Sequence, residues 1–141
     1  MTKISFIHGA PDRLQGAAGW LGSAWKQRRP VLVFVPQEPM AERINQILWT
    51  QPALGFVPHC RANSPLAAET PILLTQQLDT LPQDKLLLNL SDDVPQGFSR
   101  FEELVEIVST ADDDRLRARD RAKFYKERGY DVSFTPWQDA R

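Results

Sequence analysis

Few residues suited to catalysis directly follow the apolar runs of this sequence, and one short stretch supplies the only pair of carboxylates among them. Asp92 and Asp93 follow the apolar run "DKLLLNL" within "SDDVP", and two carboxylates can hold Mg²⁺. Adjacent acids in a Ser-Asp-Asp-x-Pro context are more often turn residues, which is how we interpret this pair. A Mg²⁺-dependent hydrolase or phosphotransferase that uses Asp92 and Asp93 stays open as an alternative.

The two histidines and the single cysteine do not form a recognisable catalytic group. His8 ends an apolar run, where it could act as a general base, but the sequence identifies no nucleophile or carboxylate partner for it. His59 and Cys60 are adjacent, and neighbours in an extended segment point to opposite faces. A single cysteine also excludes an internal disulfide and a multi-cysteine zinc site. We therefore predict no catalytic residue, no metal and no cofactor.

The elements that would position these residues alternate between strand and helix. Five runs have the composition of strands, at 3–8, 30–36, 71–77, 84–90 and 130–137. Four segments have the pattern of helices, at 13–27, 39–48, 101–108 and 112–129. The first two strands are apolar enough to lie in the interior of a sheet, and the helix between them predicts a βαβ unit with a right-handed crossover. The sequence thus predicts an α/β fold.

Composition indicates one globular domain over residues 1–141. The chain is 42% hydrophobic and 25% charged, and it contains no apolar run of the length that spans a membrane. We expect a soluble cytoplasmic protein. A net charge of −1 gives the whole molecule no attraction for nucleic acid or membranes, so such an attraction requires a local patch.

Positive charge is concentrated in the last predicted helix. Residues 115–128 contain seven bases and two acids, an excess of five. At about 100° per residue, one narrow stripe of this helix carries four of the bases: Arg115, Arg119, Lys123 and Lys126. A compact stripe suits an acidic peptide or a free carboxylate. Two alternatives remain. One is direct binding of nucleic acid, which usually requires a broader basic surface, and the other is a helix face that is merely solvated.

A second candidate surface surrounds the stretch "LWTQPALGFVPH" at 48–59, which sets Trp49 and Phe56 seven positions apart. Proline and glycine within it predict a loop that begins where the second helix ends. The two rings either fill the core beneath this loop or anchor a protein partner, because aromatic side chains are common energetic anchors of interfaces.

Three stretches together resemble a known family. They are "ILWTQPALGFVPH", the strand-like "DKLLLNLSDDVP" with a Phe-rich helix after it, and the closing "RLRARDRAKFYKERGYDV". Over essentially the whole chain they are similar to the chi subunit of bacterial DNA polymerase III holoenzyme, a clamp-loader accessory protein. The resemblance implies a single-domain Rossmann-like three-layer fold with a mostly parallel sheet flanked by helices, and no catalytic activity.

The resemblance also implies two partners. The family binds the psi subunit on one surface and the acidic C-terminal tail of single-stranded-DNA-binding protein on another, which associates it indirectly with single-stranded DNA during replication. By residue-for-residue transfer, the psi surface falls on Trp49 and Phe56, with Pro52 and Val57 beside them. Another protein, such as a helicase, is the alternative occupant of this surface.

The same transfer places the tail-binding bases at Arg115 and Arg119, with Lys123 on the same stripe, and a pocket-lining valine at Val108. A tyrosine common in the family near the middle of this helix is replaced here by Ala122. The resemblance therefore leads us to expect a pocket of different shape, formed with the help of Phe124 or Tyr125.

Overall fold

The computed structural model describes residues 1–50, 57–78 and 83–140. Two of the predicted site residues, Pro52 and Phe56, lie outside the described residues. The described strands are β1 (Lys3–Ala10), β2 (Val31–Phe34), β3 (His59–Arg61), β4 (Ile72–Thr75), β5 (Leu86–Asn89), β6 (Glu103–Ser109) and β7 (Asp131–Pro136). The helices are α1 (Arg13–Lys26), α2 (Glu38–Thr50), α3 (Asp112–Glu127) and the short α4 (Trp137–Ala140), with 3₁₀ turns at Ala67–Glu69 and Phe98–Arg100.

The described strands form one sheet in the order β3-β4-β2-β5-β6-β1-β7, and all of their pairings are parallel. One apolar cluster packs α1 and α2 against one face, and a second packs α3 against the other. This is the three-layer α/β fold that the sequence predicts. None of the described helices has the length and apolarity needed to cross a membrane.

The two strands predicted to be interior are so, because β1 lies between β6 and β7, and β2 lies between β4 and β5. The helix predicted between them is α1, and β1 and β2 run in the same direction, although β5 and β6 intervene in the sheet. The predicted strands at 71–77, 84–90 and 130–137 correspond to β4, β5 and β7. These predictions are confirmed.

The helix predicted at 101–108 is wrong, because this segment is β6. Its apolar side chains alternate between the two faces of the sheet: Leu104 and Val108 join the cluster beneath α3, whereas Val105 and Ile107 join the cluster beneath α1 and α2. A strand covered on both faces is apolar in consecutive positions, and such a run cannot be told from a short buried helix by its period alone. The Phe-rich helix expected before it is only the 3₁₀ turn at Phe98–Arg100.

The second helix continues further than predicted. We expected it to end before Trp49, but α2 continues to Thr50, so Trp49 lies on its last turn instead of in a loop. Pro52 is the first proline after the helix, and the residue whose own helical conformation a proline disfavours is the one directly before it, here position 51. The position of this proline is therefore compatible with helical geometry at Trp49 and Thr50.

The last helix forms as predicted, and its ends are fixed by local contacts. The Asp114 carboxylate accepts hydrogen bonds from the Ser109 backbone N–H (2.7 Å) and hydroxyl (2.8 Å), which ties the first turn of α3 to the end of β6. Gly129 has a φ of +84°, the left-handed conformation that commonly ends helices. The face of α3 that carries Ala118, Ala122 and Tyr125 packs on the sheet, and all three side chains are buried.

A buried ionic cluster, formed by Arg13, Glu106 and Arg121, joins α1, β6 and α3. The Glu106 side chain is fully buried, and Arg121 Nε donates to its carboxylate at 3.2 Å. Arg13 Nη2 lies 3.8 Å from the same carboxylate. The tyrosine hydroxyl of Tyr125 and the amide of Asn89 also donate to Glu106, at 2.8 and 3.0 Å. One carboxylate therefore accepts hydrogen bonds from Arg121, Tyr125 and Asn89 and also lies within ion-pair distance of Arg13.

The two arginines of this cluster also hold the loop that follows β5. Arg13 donates to the backbone carbonyls of Ser91 (2.8 Å) and Ile107 (3.1 Å), and Arg121 Nη1 donates to that of Asp92 (3.0 Å). Burial lowers the pKa of Arg13, and the negative charge of Glu106 opposes that shift. The charge of Glu106 thus offsets part of the cost of burying two guanidinium groups, and Asp92 and Asp114 add to this for Arg13.

Replacing Glu106 should therefore strongly reduce the stability of the fold. Glu106→Ala leaves two buried cations without their shared anion, and we expect the free energy of unfolding to fall by about 3 to 5 kcal/mol, as for other broken buried ion pairs. Urea denaturation measures this loss. Glu106→Gln, which keeps the acceptor oxygen and removes the charge, should fall between Glu106→Ala and the unmodified chain.

Glu103→Ala is the matched control, because Glu103 lies on the same strand and pairs with Arg29 at 2.7 Å in a partly exposed position. We expect it to cost less than about 1 kcal/mol, the usual range for accessible pairs. Equal losses for Glu103→Ala and Glu106→Ala would contradict the role of the buried cluster.

Candidate functional site

A groove between α3 and the β1–β7 edge of the sheet is the first candidate site. The cavity in it has a volume of about 810 Å³. Its apolar surface comes from both walls: Phe6, Val108, Ala118, Ala122 and Phe134. Its cations all come from α3: Arg115, Arg119, Lys123 and Lys126. We call this site the cationic groove.

Four residues chosen from the sequence therefore meet in one cavity. Val108, at the end of β6, lies in the apolar part, and Arg115, Arg119 and Lys123 lie on the α3 wall. The geometry brings these side chains together, and their part in binding a tail stays a prediction.

The cations of the groove are accessible and only loosely paired. Arg115 Nη1 lies 3.7 Å from the Asp112 carboxylate, and Lys123 Nζ lies 4.0 Å from that of Glu127. Both pairs are exposed, and such pairs contribute little to stability. The charges thus remain available to an incoming anion.

One of the seven bases counted in the sequence does not belong to this surface. Arg121 is 2% exposed and neutralises Glu106 inside the buried cluster. The remaining six bases of residues 115–128 are exposed, as are both acids, so the surface excess is four charges instead of five.

The aromatic rings of the groove were not found from the sequence. We expected Phe124 or Tyr125 to shape the pocket, but neither lines it. Tyr125 is fully buried with its hydroxyl on Glu106, and Phe124 lies beneath Arg128, with the guanidinium carbon 4.6 Å from the ring centre. Beside Ala122, the cavity is instead walled by the strand residues Phe6 and Phe134.

Phe6 and Phe134 meet because their strands are paired in register. They are direct partners in the β1–β7 ladder, and their rings stack at 5.4 Å. Lys126 Nζ lies 4.8 Å from the centre of the Phe134 ring, within cation–π range. A strand prediction places each ring on an alternating face, but only the register brings the two together.

The second candidate surface, which we call the Trp49 surface, consists of Trp49, His59 and Val57 at the other edge of the sheet. The Trp49 side chain is 60% exposed, and its ring lies 5.1 Å from that of His59, which is buried. His59 Nδ1 is 2.7 Å from the carbonyl oxygen of Val57. Val57 is fully buried and so supports this surface from below, where it cannot itself touch a partner.

The remaining catalytic candidates are not brought together. His8 lines the cationic groove, whereas Asp93 lines a separate cavity of about 670 Å³ at the ends of β2, β4 and β5. The Asp92 carboxylate pairs with Arg13 at 3.5 Å. The turn after β5 is stabilised mainly by Asn89, whose amide oxygen accepts from the backbone N–H and hydroxyl of Ser91. Within the described ranges, no three His, Cys, Asp or Glu side chains are placed to hold a metal ion.

Comparison with known proteins decides the family. The sequence profile described as "DNA polymerase III chi subunit, HolC" matches residues 1–133. The chain belongs to the DNA polymerase III chi subunit family. DNA polymerase III subunit chi of Pseudomonas aeruginosa is 31% identical over 145 residues, covering 100% of this chain and 97% of that protein. The Escherichia coli K12 subunit of the same name is 27% identical over 115 residues, covering 81% and 78%.

Solved structures add a likeness of fold. The C-terminal domain of S. cerevisiae Dbp5, in a structure with Gle1 and IP6, superposes with a TM-score of 0.64 over 99% of this chain and 92% of that one, at 9% identity.

Chi is an accessory subunit of the polymerase and is not catalytic. The resemblance in the sequence is thus confirmed, and this chi-family chain is a replication accessory protein without catalytic activity of its own.

The tyrosine beneath the groove makes stability depend on pH. Burial, and then the negative charge of Glu106, raise the pKa of Tyr125 above its ordinary value. A group with a raised pKa in the folded state stabilises the protein fully below its unfolded pKa of about 10, and this contribution is lost as the pH rises further. We therefore expect the free energy of unfolding to fall above about pH 10, by about 1.4 kcal/mol per pH unit.

Denaturant unfolding between pH 9 and 11 measures this slope, and Tyr125→Phe should reduce it. Tyr130→Phe is the matched control for loss of a phenol, because Tyr130 is only half-buried. If Tyr125→Phe leaves the slope unchanged, Tyr125 does not cause the pH dependence.

Proposed function

We propose that this chi-family chain is a bridge in the clamp-loader complex. It binds the psi subunit, or an equivalent protein, at the Trp49 surface, and it binds the acidic C-terminal tail of single-stranded-DNA-binding protein in the cationic groove. The observation that carries the proposal is that Val108, Arg115, Arg119 and Lys123 line one cavity.

The chemistry of the groove favours such a tail. Its four cations suit carboxylates, which arginine binds through paired hydrogen bonds. Its apolar floor of Phe6, Val108 and Ala122 suits one apolar side chain such as a terminal phenylalanine. An acidic peptide that ends in an apolar residue satisfies both requirements, whereas a bare phosphate backbone satisfies only the first.

The separation of the two surfaces favours a bridge. Trp49 contacts β3 at one edge of the sheet through His59, and the cationic groove lies along β7 at the other edge. Adjacent strands are about 4.8 Å apart, so the two edges of this sheet are separated by roughly 29 Å. Two partners can therefore bind at once without touching each other.

Removing a cation from the groove should weaken binding of the tail. We expect Arg119→Ala to reduce affinity for an acidic, Phe-terminated peptide by roughly ten- to a hundredfold, the loss of about 1.5 to 3 kcal/mol that follows removal of a hydrogen bond to a charged group. Isothermal titration gives the affinity, and Arg115→Ala should have a smaller effect than Arg119→Ala.

Arg117→Ala is the matched control, since Arg117 lies on the same helix, is exposed, and pairs with Asp113 away from the cavity. It should bind the peptide like the unmodified chain. Equal affinities for Arg117→Ala and Arg119→Ala would remove the groove as the tail site. A steep salt dependence of binding to bare single-stranded DNA would instead indicate direct nucleic-acid binding.

Removing the tryptophan should weaken binding of the clamp-loader partner. We expect Trp49→Ala to cost about 2 kcal/mol or more of binding free energy, the scale of an interface hot spot. Because 60% of the side chain is exposed, the thermal midpoint should change little. Titration with purified psi subunit and thermal unfolding measure the two effects.

Leu116→Ala is the control for loss of an exposed apolar side chain, because Leu116 is 58% exposed and lies on α3. It should retain partner binding. Normal binding by Trp49→Ala with a large loss of stability would show that the ring serves the fold instead of the partner.

A further inference from the structure

At the edge of the sheet beside the cationic groove, some backbone N–H and C=O groups are not hydrogen-bonded to any described strand. β7 is the last strand in the sheet order and pairs only with β1. An exposed strand edge is a template for a further strand, and proteins commonly bind extended peptides in this way. The groove therefore borders a backbone that can itself take part in binding.

The direction of each peptide group follows from the ladder. The backbone N–H of Lys3 donates to the carbonyl of Glu102 at 2.9 Å, on the β6 side of β1. Successive peptide groups of a strand face opposite sides, so Ile4 and Phe6 face β7. Their partners in register are Val132 and Phe134.

In a parallel ladder, a residue bonds to the residues on either side of its partner. The residues of β7 that bond to β1 are therefore Asp131, Ser133 and Thr135, and the peptide groups of Val132 and Phe134 face outwards. Among the described residues, no group outside the sheet donates to or accepts from these two. The next outward position is Pro136, which has no N–H, so the usable edge is short.

The side chains of these two residues place the edge at the groove. Phe134 lines the cavity, and Val132 packs against the apolar cluster beneath α3. A strand added to β7 would direct every second side chain to the α3 side of the sheet, towards Lys123 and Lys126. The same chain would leave its intervening side chains in solvent.

Charge decides which occupant fits. The α3 wall of the groove carries an excess of cations, so a second copy of this chain added edge to edge would bring like charges together. An acidic peptide is attracted by the same wall. We propose that an extended acidic peptide binds by adding a strand to β7, hydrogen-bonded to Val132 and Phe134, with its apolar terminal side chain in the cavity. This inference rests on the proposed function, and it specifies how the tail is held.

Amide hydrogen exchange tests the inference on the unmodified protein. At a saturating concentration of an acidic, Phe-terminated peptide, exchange of the Val132 and Phe134 amides should slow by at least about tenfold, because each gains a hydrogen bond. The Ser133 and Thr135 amides, already bonded to β1, are internal controls on the same strand and should change much less.

Single N-methylation along the peptide tests the same strand pairing from the side of the ligand. Single N-methylation removes one donor at a time, and a strand uses the donors of alternate residues on one side. Affinity should fall by tenfold or more at every second position and change less than threefold at the positions between. A uniform profile would overturn strand pairing.

The outcomes separate the two proposals. Saturable binding with unchanged exchange at Val132 and Phe134 overturns the added strand and leaves the proposed function intact. Absence of binding by the unmodified peptide overturns both. Protection of these two amides that requires high protein concentration and no peptide would assign the edge to a second copy of the chain and overturn the choice of an acidic peptide.

Discussion

The carboxylate of Glu106 is the constraint on which the arrangement of this protein depends. It lies in the middle of the sheet, receives donors from Arg121 and Tyr125 on α3, and lies close to Arg13 at the start of α1. Burying these charges costs free energy unless each charged group has well-placed ionic and hydrogen-bond partners. The helices on opposite faces are therefore fixed relative to the same strand, and so are the groove residues that α3 carries.

The groove combines a rigid helix with an open sheet edge. Its cations are exposed on α3, while Ala118 and Ala122 on the neighbouring face allow the helix to approach the sheet closely. Ala122 also leaves space that a larger residue would fill, and Phe6 and Phe134 provide the aromatic surface on the opposite wall. The acidic ligand that we propose would meet the cations of the α3 wall and the aromatic surface together.

The two candidate surfaces of this accessory protein lie at the two edges of the sheet, and the interior of the sheet is packed on both faces. The Trp49 surface and the cationic groove lie at opposite ends of the strand order, and the polar residues between them serve the buried cluster. In the described part of the chain, the carboxylates near the strand ends pair with arginines or lie apart from the histidines.

The sequence by itself determined the alternation of strands and helices, the interior position of β1 and β2, the stripe of bases on α3 and the family. These features are local, because periodicity, turn residues and short motifs can be recognised without knowing which elements pack against each other. Tertiary structure alone decided that residues 103–109 form a strand, that Arg121 is buried on Glu106, and that the cavity is walled by Phe6 and Phe134. Each of these depends on the register and order of strands distant in the chain, and side chains meet there through pairings that no short stretch of sequence encodes.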